Sequence, residues 1–182
     1  MKMTSVMLAI GLAGALAAGT AMAQNNSQTN DRNAGKTADK ASQSFIKAAI
    51  EGDIAEIDVG KLAQEKGQSE AVKQFGAMLV KDHGAHKAKA EEVASQLGVT
   101  PPTGSSFGEK ATYAKLKLLS GESFDRSFAK SMVKDHQDDI KEYQKEASKS
   151  DPAGQLAKET LPTLRKHLQA AQRLTTEKQS SR

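Results

Sequence analysis

Cysteine is absent from all 182 residues. That gap excludes disulfides, thiolate zinc sites, iron–sulfur clusters and covalently attached c-type haem, so packing has to hold the fold. Aromatic residues are scarce at 4%, and the formal charge of +4 is spread along segments where Lys alternates with Glu or Asp. A nucleic-acid footprint needs basic residues clustered with aromatics, so no nucleic-acid partner is expected. After Ala18 there is no long apolar run. No transmembrane segment is therefore expected once the N-terminus is removed.

What is present begins with a leader. Met1-Lys2 is weakly basic, Val6 to Ala18 is apolar, and Ala21-Met22-Ala23 is an Ala-x-Ala cleavage site before Gln24. The apolar stretch is too short to cross a bilayer, and the pattern is that of a secretory signal peptide over residues 1–23, cleaved after Ala23. The expected location is the periplasm. Residues 24–41, rich in Asn, Gln and Thr, lack hydrophobic periodicity and read as a disordered polar leader. A helical domain is expected over 42–178, with a tail at 179–182. Export leaves 182 − 23 = 159 residues, enough for one domain with a real core.

Four long segments carry helical period. Helix one spans roughly Ser42 to Lys66 with a stripe of Ile46, Ile50, Ile54 and Ile57, and Gly67 as its stop. Helix two spans Ser69 to Leu97, with Val72, Phe75, Leu79, His83, His86, Ala90, Val93 and Leu97 on one face and Gly98 at its C-terminal cap. Helix three spans Ser123 to Ser148 with Phe124, Phe128, Met132, His136, Ile140, Tyr143 and Ala147 in line. Helix four opens at Asp151-Pro152 and runs to about Lys178, with Ala157, Leu164, His167, Ala171 and Leu174 inward. Pro162 inside it removes a backbone donor and is expected to kink it.

Between helices two and three lies Val99 to Gly121, with a short helical piece around Glu109 to Leu119. Most helix–helix connections are about two to eight residues, so one this long is expected to travel back along a helix. The expected architecture is all-α, a four-helix bundle with one long crossover that sets helices two and three parallel. An internal echo agrees. Val80-Lys81-Asp82-His83 recurs as Val133-Lys134-Asp135-His136, each with a Phe eight residues before the His (Phe75, Phe128), and Leu164-Arg165-Lys166-His167 is a looser copy.

Glu56, His83, His136 and His167 each fall near the middle of one long helix, so side-by-side packing would gather them into one layer. Asp53, one turn before Glu56, points more directly inward, and His86, one turn after His83, is a further candidate donor. Three imidazoles and a carboxylate suit a divalent metal: zinc, copper, iron or manganese. The same groups could instead satisfy one another by hydrogen bonds with no metal. Asp82 and Asp135, each next to a motif His, point about a quarter turn away; they could face a neighbouring helix and support the layer from behind, or face solvent, and a solvated face is the first reading.

The ordered set Ala55-Glu56-Ile57, Gly60-Lys61-Leu62-Ala63, Val80-Lys81-Asp82-His83, Gly121-Glu122-Ser123-Phe124-Asp125-Arg126, His136-Gln137 and Leu161-Pro162-Thr163-Leu164 followed by His167-Leu168 resembles an exported bacterial family, domain of unknown function 4142. The likeness covers essentially Phe45 to Leu174. It implies a ferritin-like four-helix bundle and makes Leu161-Pro162 a family feature. It implies no chemistry. Di-iron ferritin-like proteins use Glu-x-x-His pairs, whereas here Val80 and Leu164 stand three residues before His83 and His167. Oxygen activation on that plan is not expected.

The first functional expectation is a binding protein of the cell envelope, serving under stress, with a metal ion in a mid-bundle His/Glu layer. The alternative is a structural or protein-interaction module of the periplasm, bound to an envelope protein, whose polar layer is purely hydrogen-bonded. A metal-dependent oxidoreductase stands third. No Ser-His-Asp order, phosphate-cradling Gly loop or paired-carboxylate site stands out, so no catalytic residue is assigned.

Overall fold

The computed structural model describes residues 39–176. The signal peptide, most of the polar leader and the tail expected from the sequence lie outside the described residues. Five helices and no strand are formed among the described residues: α1 (Lys40–Lys66), α2 (Glu70–Gln96), α3 (Phe107–Lys117), α4 (Gly121–Glu146) and α5 (Pro152–Thr176). None is long and apolar enough to cross a membrane.

Local chemistry sets the helix ends. The Asp39 side chain accepts from the Ala41 amide ahead of α1, and the Ser69 hydroxyl accepts from the Val72 amide ahead of α2. Ser106 and Glu109 form a reciprocal capping box at α3. Past α2, Gly98 takes a left-handed φ of 66°, which a residue with a Cβ would resist. Gly67 stops α1 for a different reason: a Cβ there would lie 2.5 Å from the Ala63 carbonyl oxygen.

Three residues (67–69) join α1 to α2 and five (147–151) join α4 to α5, so each pair is antiparallel. Asp82 on α2 meets His167 on α5, and Lys89 meets Glu159, so those two helices also run in opposite directions. It follows that α2 and α4 are parallel, as the long connection implies. Both start at one end, where the Asp125 carboxylate accepts from the amides of Gln68 at 2.8 Å and Ser69 at 3.0 Å. Phe75 faces Phe128, and His83 faces His136, each pair with ring centroids 5.8 Å apart. The echoed motif is thus the register of two parallel helices.

Apolar clusters lie on both sides of the mid-bundle layer. Phe75, Leu79, Phe124, Phe128 and Met132 fill one side, with Phe124 stacked on Phe128. Ile46, Ile50, Ala90, Val93 and Leu156 fill the other. Near the layer α1 and α2 touch backbone to backbone: a Cβ on Gly60 would come within 2.7 Å of the Gly76 carbonyl oxygen.

One expectation needs correction. The inward stripe of α1 begins with Ile46 and Ile50, but Ile54 and Ile57 are only half-buried, and Asp53, Glu56, Val59 and Gly60 take the inner positions. Polar partners on other helices make that rotation affordable. Pro162 lies inside α5, which runs through it as one helix, as a kink and not a break requires. The carbonyl that loses its amide partner belongs to exposed Lys158, where water can replace the bond, and Pro162 is itself exposed.

Candidate metal centre

Asp53 joins two helices through both of its oxygens. A carboxylate only accepts, so Nδ1–H of His83 donates to Oδ1 at 2.9 Å and Nδ1–H of His86 donates to Oδ2 at 2.7 Å. The lone pair of each neutral ring is then on Nε2. No hydrogen-bond partner among the described residues reaches Nε2 of either histidine, although both are buried. Leaving such an atom unpaired costs about 1–3 kcal/mol, so the arrangement calls for a further partner.

His136 and His167, both fully buried, are pinned in the same manner. Nδ1–H of His136 donates to the Met132 carbonyl at 3.0 Å, one turn back on α4, which puts its lone pair on Nε2. His167 Nε2 lies 2.9 Å from Oδ2 of Asp82, so that nitrogen carries the proton and Nδ1 the lone pair. Those two lone-pair nitrogens stand 3.2 Å apart. Such a contact needs either one extra proton shared by the two rings or a cation beside them.

The extra proton is disfavoured. Burial, followed by the neighbouring His83 and His167 rings, pushes His136 from the ordinary 6.5 down to about 3. His167 is also lowered, by burial first, with the Asp82 contact opposing. At neutral pH the rings therefore present lone pairs, the form that binds a metal.

The ligand nitrogens of His83, His136 and His167 all lie within 4.8 Å of one another. Tetrahedral zinc with bonds of about 2.0–2.1 Å sets its nitrogens about 3.3 Å apart, so the group need contract by at most about 1.5 Å. Beside it a cavity of about 110 Å³ is lined by Asp53, Asp82, His83, His86, Tyr143 and His167, giving room for a water and a way in.

Of the residues singled out from the sequence, the structure brings the three histidines together. Asp53 and Asp82 orient imidazoles and do not converge with them as donors. Asp82 faces α5, the neighbouring-helix alternative and not the solvated face read first, because α5 crosses α2 at that depth. His86 shares Asp53 with His83. Glu56 is buried with Oε1 3.8 Å from Nδ1 of His136, the side of the ring already bound to Met132. Its carboxyl is raised well above the usual range by burial and then by Asp139, Asp135 and Asp53.

Asp139 was missed. Burial, then Asp135, Asp53 and Glu109, pushes it from the ordinary 3.8 up to about 7. Its signal is a helical one: Asp135 and Asp139 are one turn apart and so share a face. Glu109 was read only as part of a short helix, and nothing local reveals that α3 carries it over α1.

Among solved structures, a crystal structure of a DUF305 fragment from Deinococcus radiodurans is similar, with a TM-score of 0.68 and 16% identity over 75% of this chain and 96% of that chain. At that identity the likeness shows the fold alone. No curated protein matches. The model of the family described as a domain of unknown function, DUF4142, matches residues 25–174. That match takes in most of the chain, and this chain belongs to the DUF4142 family.

Proposed function

We propose that this protein is an exported helical bundle that binds one transition-metal ion on His83, His136 and His167 in the periplasm. One observation carries the proposal: each of the three rings has its outer nitrogen held by an acceptor, and the inner nitrogens face one another. Asp53, the Met132 carbonyl and Asp82 act as the outer partners that fix ring orientation in metal sites. Three neutral imidazoles without thiolate or converging carboxylate suit zinc or copper better than iron, manganese or magnesium. When bound, such an ion would act as a Lewis acid with room for a water on the cavity side. The residues themselves exclude bulk water, hold the tautomers and keep His136 and His167 unprotonated. A binding or carrier role in the envelope needs no more than this.

The alternative is a purely hydrogen-bonded layer, favoured by the 3.2 Å contact between His136 and His167. Titration of chelator-treated protein with zinc, against a chromophoric competitor, separates the two. One equivalent bound by the parent and none by a still-helical His136→Ala variant supports the metal site. No uptake by the parent, or equal uptake by the variant, overturns it.

A further inference from the structure

Among the described residues two large apolar side chains stand almost wholly in solvent, Phe107 at 89% exposure and Leu118 at 87%. Both belong to α3, one as its first residue and the other as its C-cap. Single surface apolar side chains are ordinary, but these two are aligned. Phe107, Ala111, Ala114 and Leu118 follow the four-three-four spacing of one helix face, within about 60° of one another around the axis, and all four are exposed.

The charges of α3 are sorted about that stripe. Lys110 and Lys117 flank it on one side and Lys115 on the other, all three exposed. None of them is ion-paired among the described residues, whereas lysines elsewhere bind carboxylates of their own helix, as Lys87 binds Glu91 and Lys134 binds Asp138. The one carboxylate of α3, Glu109, is turned away: it accepts from the Ser106 amide and lines, with Glu56, Asp135, Asp138 and Asp139, an acidic cavity between α1, α3 and α4. Lys66 of α1 donates to the Lys117 carbonyl, which puts a fourth ammonium at the Leu118 end. The support is fixed. The capping box holds the start of α3, Leu116 is buried, and Tyr113 packs on the core.

We propose that the outer face of α3 is a docking surface for an anionic lipid bilayer, with Phe107 and Leu118 entering the boundary between headgroups and acyl chains and the lysines meeting the phosphates. Charge complementarity and area select this occupant. Interfacial helices combine apolar side chains with flanking lysines in this way, and their binding follows the buried apolar area plus the attraction to anionic lipid. A stable protein partner needs about 800 Å² on each side, centred on a desolvated pocket. The stripe is convex and only about 16 Å by 10 Å. A bilayer requires no matching pocket.

The full mature protein should co-sediment at low salt with vesicles of phosphatidylglycerol and phosphatidylcholine, and about tenfold or more weakly with pure phosphatidylcholine. Phe107→Ser/Leu118→Ser and, separately, Lys110→Gln/Lys115→Gln/Lys117→Gln should each weaken binding by about tenfold or more. Removing as much charge from α5, in Lys158→Gln/Arg165→Gln/Lys166→Gln, should change it by less than about threefold. All of these side chains are exposed, so the variants keep the core intact. The chain has no tryptophan, so Phe107→Trp is a clean reporter whose emission should shift to the blue on anionic vesicles. Absence of binding by the parent, equal losses from the α3 and α5 charge variants, or binding indifferent to the Phe107 and Leu118 changes overturns the proposal. So does a dimer of the vesicle-free parent that Phe107→Ser/Leu118→Ser dissolves, since the face would then meet a second copy of the chain.

Discussion

Oδ1 of Asp53 on α1 accepts from Nδ1 of His83 on α2 at 2.9 Å, and this single contact decides which way the His83 lone pair points. Asp53→Asn keeps the shape but offers a donor to one of the two imidazoles, so His83 or His86 must change tautomer. Zinc affinity should fall about 10–100-fold with the one-to-one stoichiometry retained. Competition titrations with a chelator of known affinity read this directly, and an unchanged affinity would remove Asp53 from the centre's support.

Phe128 is fully buried and touches both Phe75 and Phe124. Phe128→Ala should cost about 3–5 kcal/mol through lost burial and a residual cavity. Urea unfolding measures it; a change below about 1 kcal/mol would place the ring outside the core.

Gly60→Ala tests the close approach of α1 and α2. The new Cβ would sit 2.7 Å from the Gly76 carbonyl oxygen and 3.2 Å from Leu79 Cβ, neither the end of a flexible chain. The helices must move apart, at about 1–3 kcal/mol, despite alanine's better helix propensity. A variant as stable as the parent would mean that the two backbones are not in contact.

Acid titration of the metal-free protein sets two groups against each other. His136 is held at about 3 instead of 6.5, so between those values the unfolded chain binds more protons and stability falls as pH drops. Asp139 is held at about 7 instead of 3.8, so over its window the folded chain binds more protons and stability falls as pH rises. The two slopes oppose each other in the parent, with Glu56 and Asp135, also raised, adding to the second and His167, also lowered, adding to the first. Asp139→Asn should therefore be more stable than the parent near pH 8, by about 1–3 kcal/mol, and lose stability steeply toward pH 5. His136→Gln should show the opposite slope. Urea midpoints at the two pH values check both signs; parallel profiles for all three proteins would contradict the burial of these groups.

Much of this arrangement is legible in the chain because α2 buries an unbroken stripe and α4 buries all of its own except Ile140 and Ala147, which are half-buried. Every residue from Val72 to Leu97 expected on the inner face of α2 is buried, His83 and His86 included. The repeated Val-Lys-Asp-His gave the register between parallel helices. Local pattern fails where a polar side chain is buried for the sake of a partner on another helix. Ile54 and Ile57 read as core by period, yet Asp53 and Glu56 lie deeper, since Asp53 is satisfied by α2. Asp82 and Asp135 occupy equivalent motif positions but meet different neighbours: α5 presents His167 to the first, while the second lines a cavity closed by α3. The path of that crossover has no periodic signature, so neither Glu109 nor the acidic cavity could be placed.

The most direct test of the imidazole centre is a crystal structure of the zinc-soaked protein with anomalous data collected on both sides of the zinc edge. A peak at about 2.0–2.1 Å from Nε2 of His83, Nε2 of His136 and Nδ1 of His167 is the expected result. Full histidine density with no peak between those three nitrogens, or zinc confined to surface carboxylates, would contradict it.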